Sequence, residues 1–227
     1  MKKNLTELVF ILDKSGSMSG LESDTIGGFN SMLEKQKAVE GDARITTVLF
    51  NHGYEVLHDR IAIRAVAPIT EMEYSVGGST ALLDAIGRTI NKIVSAQKHT
   101  LAEFRADKVL FVIITDGMEN ASREFTYGQV RSMIEYEKSR YGWEFIFLGA
   151  NIDAVEFAGR FGIAPERAQN FHADSEGTRL NYAVTADAVR SFRTSGSIRD
   201  DWGEEIRQDF VRRGGQRSPG RGTQQPK

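Results

Sequence analysis

The stretch Glu7-Leu-Val-Phe-Ile-Leu-Asp-Lys-Ser-Gly-Ser17 joins a short apolar run directly to a polar loop. A continuous apolar run without alternating polar residues is typical of a strand that is buried on both faces in a parallel sheet. The run ends at Asp13, so the polar residues follow the carboxyl end of the predicted strand. We therefore predict that residues 7–12 form the central strand of an α/β sheet.

A helix and a hairpin are predicted after this strand. The helix is indicated by residues that recur at helical spacing, namely Leu21, Thr25, Phe29, Met32, Leu33 and Gln36. Two interior glycines, Gly27 and Gly28, lower the helix propensity of this segment. Residues 44–50 and 54–57 flank Asn51-His52-Gly53, which predicts two antiparallel strands joined by a tight turn.

The rest of the first 172 residues repeats the strand-then-helix pattern. Apolar residues 109–115 and 145–148 predict two more buried strands. Helices are predicted from an apolar stripe that reaches about Gln97, from a capping box at Thr126 and Gln129, and from Asp153 with Glu156. Strands that alternate with helices favour right-handed crossovers. We predict a doubly wound, mostly parallel sheet with one antiparallel edge strand and helices on both faces.

Three segments differ in composition. We predict a main domain over residues 1–172, a C-terminal helical extension over 173–211 and a disordered basic tail over 212–227. The extension carries two amphipathic patterns, one with Tyr182, Val189 and Phe192 and the other with Trp202, Ile206 and Phe210. The tail has five basic residues and no acid, whereas the whole chain has a net charge of -2. An acidic body does not resemble a dedicated nucleic-acid binder, whose basic charge covers a folded face.

Composition and the amino-terminal sequence limit the function classes further. The chain has no cysteine, which excludes disulfides and thiolate metal sites. No apolar run approaches the roughly 20 residues that span a bilayer, so we expect no membrane segment. The first residues lack the pattern of a signal peptide. We therefore expect a cytoplasmic protein.

Polar residues at the ends of predicted strands form a candidate metal site. Asp13, Ser15 and Ser17 follow the first strand, Asp116 follows residues 109–115, and Thr80 opens a helix. Loops at the carboxyl ends of parallel strands converge at one edge of the sheet. The resulting two carboxylates and three hydroxyls are all oxygen ligands, which suit Mg²⁺, with Mn²⁺ as an alternative, better than Zn²⁺.

Each of these pieces also has a purely structural interpretation. Asp13, Ser15 and Ser17 are residue types that cap helices, and Thr80 is a candidate cap for the next helix. The dipeptide Asp116-Gly117 is common in turns. The metal hypothesis depends on the joint placement of all three loops at one sheet edge.

Other polar residues near these five have alternative interpretations. Asp84 is either an orienting carboxylate behind the site or an exposed acid on a helix face. Glu119 and Asn120 are candidates for the rim of a ligand surface. The four histidines have no metal-ligand spacing and are expected at the surface: His52, His58, His99 and His172.

The three motifs resemble the metal-ion-dependent adhesion site of the von Willebrand factor A family. They are the Asp-x-Ser-x-Ser of residues 13–17, the Gly-Gly-Ser-Thr of 77–80 and the Ile-Thr-Asp-Gly of 114–117. The resemblance covers roughly residues 5–172. Within the family, the chain looks most like the stand-alone bacterial intracellular branch. The resemblance implies that Ser15, Ser17 and Thr80 are ligands through their hydroxyls. Asp13 and Asp116 would then act directly or through bound water.

The leading functional hypothesis is a Mg²⁺-dependent protein-binding module that is not an enzyme. Its metal would coordinate a carboxylate of an acidic residue on a partner protein. The alternative is a Mg²⁺-dependent hydrolase or phosphoryl-transfer enzyme in which Ser15 or Ser17 is the nucleophile. The sequence disfavours this alternative because no histidine lies in the motifs, the neighbouring Lys14 is expected to point outward, and there is no P-loop pattern. Nucleic-acid binding through residues 212–227 is a third, less favoured class.

Overall fold

A computed structural model describes residues 4–216 as one six-stranded sheet flanked by helices. The strand order is β3-β2-β1-β4-β5-β6. All neighbouring strands are parallel except β2 and β3, which are antiparallel at one edge. The bounds are β1 Thr6–Asp13, β2 Ala43–Phe50, β3 Tyr54–Ala62, β4 Lys108–Thr115, β5 Glu144–Gly149 and β6 Ala168–Asn170. The predicted fold class is confirmed, including the antiparallel edge strand.

Six α-helices flank the sheet within residues 4–216. They are α1 Glu22–Lys37, α2 Leu82–His99, α3 Tyr127–Tyr141, α4 Ala154–Arg160, α5 Ser175–Ser195 and α6 Glu204–Arg212. Alternate residues of β1 serve two different cores, because successive side chains of a strand point to opposite faces. Leu8 and Phe10 pack with residues of α1 and α5, whereas Val9 and Ile11 pack with residues of α2, α3 and α4. The central strand is therefore buried on both faces, as its continuous apolar run predicts.

The local signals place most element boundaries correctly. Thr126 and Gln129 form the predicted capping box of α3. The side chain of Asp153 accepts a hydrogen bond from the backbone N–H of Glu156 and caps α4. The hairpin has its predicted turn, although β3 continues to Ala62, five residues beyond its predicted end. The three-residue strand β6 was not predicted from the sequence.

A glycine allows α1 and α5 to approach closely. A Cβ atom on Gly28 would lie 2.4 Å from Cδ2 of Tyr182, so only glycine leaves room for this ring. The low helix propensity of glycine is offset here by burial of the Tyr182 ring against α1. The predicted extension therefore begins with a helix that packs directly on the main domain.

Arg193 anchors the other end of α5. It is 1% exposed, and its guanidinium donates to the backbone carbonyls of Gln36, Val39 and Gly41 at the end of α1. These carbonyls belong to the last turn of a helix and the residues after it, which have no partner within the helix. Helix α5 thus completes the core instead of lying outside it.

The end of the described chain is ordered beyond the predicted start of the tail. Trp202 lies before α6, not within it, and its indole N–H donates to the carbonyl of Glu166 at 2.9 Å. Arg212 is the last residue of α6, and Arg213 forms ion pairs with Asp174 and Asp209. Residues 217–227, which make up most of the predicted basic tail, lie outside the described residues. Among residues 4–216, no helix is long and apolar enough to cross a membrane.

Candidate metal centre

The carboxyl ends of β1 and β4 lie side by side at the centre of the sheet. Leu12 of β1 pairs with Ile114 of β4, so Asp13 and Asp116 lie where the two parallel strands end. A tight 3₁₀ turn at Gly16–Met18 follows β1 and precedes α1. Neighbouring parallel strands therefore bring two carboxylates to one edge, as the sequence predicts.

Hydrogen bonds connect the first and third motif loops. The Ser17 hydroxyl donates to Oδ1 of Asp116 at 2.5 Å, and the Ser15 and Ser17 hydroxyl oxygens lie 3.1 Å apart. A Cβ atom on Gly117 would lie 3.2 Å from Oγ of Ser17 and 3.6 Å from Oγ1 of Thr80. The three loops thus converge, and all five predicted residues lie at this centre.

Asp13 is buried and firmly held. Its Oδ1 accepts the backbone N–H of Ser15 at 2.7 Å, and its Oδ2 accepts the Thr115 hydroxyl at 2.5 Å. The Tyr74 hydroxyl donates to the backbone carbonyl of Asp13. Burial raises the pKa of the Asp13 carboxyl, and the hydrogen bonds from Ser15 and Thr115 oppose that rise. The carboxylate is oriented before any ligand arrives.

Asp116 has an unpaired oxygen. It is 1% exposed, and its Oδ2 has no hydrogen-bond partner within residues 4–216. Burial raises its pKa to about 6, and the charge of Asp13 adds to the rise while the Ser17 hydroxyl opposes it. A buried acceptor with no donor costs about 1–3 kcal/mol, more when it is charged. Two buried carboxylates with three neighbouring hydroxyls fit a hard divalent cation, which would supply the missing positive charge.

Thr80 is held by the loop that follows Asp116. Its backbone N–H donates to Oδ1 of Asn120 at 2.9 Å, and the N–H of Asn120 donates back to the Thr80 carbonyl at 3.0 Å. The N-cap position of α2 is Ala81, which makes no side-chain cap. Glu119 instead accepts the Leu83 N–H at 2.9 Å. Thr80 is therefore not the cap of α2, and its hydroxyl oxygen would lie 3.6 Å from a Cβ atom on Gly117.

The first motif does not cap a helix either. Leu21 occupies the N-cap position of α1, and its side chain makes no cap. Ser15 precedes the 3₁₀ turn without a side-chain cap hydrogen bond. The helix-capping interpretation of Ser15 and Ser17 is therefore not supported by the contacts of these side chains.

Asp84 and the Glu119–Asn120 pair shape the loop between Asp116 and α3. The Asp84 carboxylate accepts three successive backbone N–H groups, from Arg123, Glu124 and Phe125. Asp84 is therefore neither an idle surface acid nor a hydrogen-bond partner of the five candidate ligands. It fixes the loop whose first part carries Asp116.

The remaining candidate groups lie elsewhere. Lys14 forms an ion pair with Glu55 at 2.6 Å. His58 is buried and contacts the Thr47 hydroxyl at 3.0 Å, which corrects the expectation that all four histidines lie at the surface. Residues 4–216 contain no group of three or more His, Cys, Asp or Glu side chains that could hold a metal. The candidate centre therefore depends on serine and threonine hydroxyls as much as on carboxylates.

Solved structures with the same architecture identify the fold. A von Willebrand factor type A structure from Catenulispora acidiphila has a TM-score of 0.58 and 13% sequence identity, and the match covers 83% of this chain. The chain has the von Willebrand factor A fold. The manganese-loaded TRAP protein of Plasmodium vivax matches with a TM-score of 0.59, 17% identity and 83% coverage of this chain. Proximal thread matrix protein 1 from the mussel byssus, with a zinc-occupied MIDAS motif, matches with a TM-score of 0.54, 12% identity and 82% coverage.

These likenesses concern the fold alone. The matches span 43% of the Catenulispora chain, 74% of the Plasmodium chain and 46% of the mussel chain. No protein-family model and no curated protein matches the sequence. The von Willebrand factor A fold thus accounts for the sheet and its flanking helices, whereas the chemistry of the site depends on its own residues.

Proposed function

We propose that the chain is a divalent-metal-dependent protein-binding module. Mg²⁺, with Mn²⁺ as an alternative, would be held by Asp13, Ser15, Ser17, Thr80 and Asp116. The observation that carries this proposal is the buried Oδ2 of Asp116, which has no hydrogen-bond partner among the described residues. An acceptor in this position, next to a second buried carboxylate, is stabilised by a cation.

The candidate centre reaches the protein surface at Ser17. Asp13, Ser15, Thr80 and Asp116 are buried, whereas Ser17 is exposed. A bound Mg²⁺ would supply a hard electrophilic centre with an open coordination position. Only two of the five protein groups are anionic, so a carboxylate from an acidic residue of a partner protein is the ligand that we propose for that position. The contact would be charge-assisted and local.

The structures with metal in the same fold support a divalent ion. The Plasmodium vivax protein is manganese-loaded, and the mussel protein has zinc in its MIDAS motif. The all-oxygen donor set of this chain favours Mg²⁺ or Mn²⁺ over Zn²⁺. The bacterial stand-alone type and the cytoplasmic location remain predictions from the sequence.

We disfavour the alternative of a Mg²⁺-dependent hydrolase or phosphoryl-transfer enzyme. A serine nucleophile needs a neighbouring base to take its proton. The Ser17 hydroxyl donates to Asp116, whose carboxylate is a candidate metal ligand, and the ammonium of Lys14 is paired with Glu55. We therefore propose that the site binds a partner and does not act as an enzyme.

Partner capture with and without metal tests the proposal. The immobilised protein is incubated with extract of its source organism in Mg²⁺, in Mn²⁺ and in EDTA. We expect a partner that is retained in either metal and lost in EDTA, and that is lost when Ser15→Ala and Ser17→Ala are combined. The matched control combines Ser132→Ala with Ser139→Ala, because these α3 hydroxyls bond only to local carbonyls.

The partner's acid is then identified by replacing its exposed Asp and Glu residues one at a time. We expect one replacement to abolish retention. A partner that is retained equally in EDTA, or equally by the double serine variant, would show that the metal does not mediate binding. Turnover of phosphate esters by the wild-type protein, lost in the double serine variant, would favour the enzyme alternative.

A further inference from the structure

The segment from Tyr74 to Thr80 lies along the first metal-site loop. Two backbone hydrogen bonds join them: the N–H of Gly77 donates to the carbonyl of Lys14 at 2.8 Å, and the N–H of Gly16 donates to the carbonyl of Gly78 at 3.0 Å. These bonds fix the register between the loop that carries Ser15 and Ser17 and the segment that ends at Thr80.

Tyr74 adds a third bond to this pairing, and it is made by a side chain. The phenol is 1% exposed, and its hydroxyl donates to the backbone carbonyl of Asp13. That carbonyl belongs to the peptide unit between Asp13 and Lys14, so its orientation affects the course of the chain towards Ser15. The long segment between β3 and α2 thus reaches the first ligand loop through a buried hydroxyl.

We infer that Tyr74 is a positioning residue for the metal centre. The N–H of the Asp13–Lys14 peptide donates to the Phe50 carbonyl at 2.7 Å, and the Tyr74 hydroxyl binds the carbonyl of the same peptide. With that second bond, Tyr74 sets the orientation in which the Asp13 carboxylate and the Ser15 hydroxyl face the same point as Thr80. The inference rests on the proposed metal site and names a residue outside the five ligands that sets its affinity. Groups that orient the ligands of a metal without touching the metal commonly change its affinity by about 10- to 100-fold when they are removed.

Tyr182 of α5 provides a matched control. Its side chain is buried in the same hydrophobic core as Tyr74. The Tyr182 hydroxyl has no hydrogen-bond partner within residues 4–216. Tyr74→Phe and Tyr182→Phe therefore each remove one buried phenolic oxygen, but only the first removes a bond to the ligand loop.

The test is calorimetric titration of MnCl₂ into each folded protein at pH 7.5 and 20 °C. We expect the Kd of Tyr74→Phe to rise about tenfold and the Kd of Tyr182→Phe to stay at the wild-type value. The paramagnetic resonance spectrum of bound Mn²⁺ should broaden in Tyr74→Phe because the ligand geometry becomes less uniform. Thermal unfolding in EDTA measures the stability of each variant separately.

The outcomes separate the inference from the proposed function. If Tyr74→Phe unfolds at a lower temperature yet binds Mn²⁺ with wild-type Kd and spectrum, the hydroxyl serves only the fold and the inference is wrong. Wild-type protein that does not bind Mn²⁺ would overturn the proposed function as well. If Tyr74→Phe is unfolded at 20 °C, the comparison is repeated at 4 °C with both Phe variants carrying Gly128→Ala, and an unchanged Kd there would equally overturn the inference.

Discussion

The hydroxyl of Ser17 donates to Oδ1 of Asp116 at 2.5 Å, although 99 positions separate the two residues in the sequence. This bond orients the Asp116 carboxylate and leaves its Oδ2 buried without a partner in the described part of the chain. The pair also joins the loops that follow β1 and β4, which are neighbouring strands. The candidate centre is therefore preformed, and a bound cation would neutralise its negative charge.

Replacing Asp116 by Asn should stabilise the metal-free protein at neutral pH. The pKa of Asp116 is raised from 3.8 to about 6, so between these values the folded chain holds a proton that the unfolded chain has lost. The stability of the wild type therefore falls as the pH rises through this window and stays low above it. Asp116→Asn has no carboxyl to titrate and so avoids this loss of unfolding free energy. The gain relative to the wild type has an upper limit of about 3 kcal/mol.

The measurement is thermal unfolding of both proteins in EDTA from pH 5 to pH 8. The advantage of Asp116→Asn should grow up to about pH 7 and then stay constant. Added Mg²⁺ should raise the unfolding temperature of the wild type alone. An advantage that shrinks with rising pH would contradict the assigned burial of the Asp116 charge.

Gly117→Ala should weaken metal binding. The added Cβ would lie 3.2 Å from the Ser17 hydroxyl oxygen, a tight contact that requires this hydroxyl to shift, whereas its distance of 3.6 Å from the Thr80 hydroxyl oxygen is an ordinary contact. We expect about a tenfold loss of Mg²⁺ affinity by calorimetry, because a binding site tolerates displacements of only about 0.5 Å.

The control for this change is Gly128→Ala in α3. No atom lies within 4 Å of its added Cβ, so the variant should keep its metal affinity and gain up to about 1 kcal/mol in stability. Equal Mg²⁺ affinity in both alanine variants would show that the hydroxyls near Gly117 are not ligands.

Asp84→Ala should loosen the loop between Asp116 and α3. Three backbone N–H groups, from residues 123–125, would lose their acceptor. The expected cost is about 1–3 kcal/mol, accompanied by faster hydrogen exchange across residues 119–125. Asp59→Ala removes an exposed ion pair with Lys92 and should cost less than about 1 kcal/mol. Unchanged hydrogen exchange across residues 119–125 in Asp84→Ala would show that Asp84 does not fix this loop.

Arg193→Met should destabilise the whole domain. Methionine fills much of the same space but leaves the carbonyls of Gln36, Val39 and Gly41 without their buried donor. We expect a loss of about 2–4 kcal/mol in urea unfolding, with one cooperative transition. Arg190→Met, on an exposed position of the same helix, should cost less than about 1 kcal/mol. A separate early transition for α5 would instead support an independent extension.

The sequence predicts β1, β4 and β5 well because these strands are buried on both faces. The continuous apolar runs of β1, β4 and β5 and the capping residues of α3 and α4 are local signals that tertiary contacts reinforce. The strand β6 has only three residues and no periodicity that could indicate it. Arginine is usually exposed to solvent, so the hydrophobic pattern of the sequence does not predict that Arg193 is buried against α1.

The placement of the candidate ligands at one edge of the sheet was predictable for a different reason. Asp13 and Asp116 each follow a recognisable strand, and the topology of a parallel sheet brings such positions together. The sequence does not predict the hydrogen bonds that hold the ligand loops in place, which are made by Tyr74, Thr115 and Asn120. Tyr74 lies in a segment without regular structure, and its bond to the Asp13 carbonyl depends on how that segment folds back over β1.

Crystals soaked in MnCl₂ and measured at the manganese absorption edge test the central claim most directly. The account predicts one strong anomalous peak at this edge of the sheet, with the hydroxyl oxygens of Ser15 and Ser17 bound directly to the ion. Thr80 and Asp116 should contact the ion directly or through a single water, and Asp116→Asn crystals should lack the peak. A saturated soak without density between these residues, or with an equal peak in Asp116→Asn, would contradict the account.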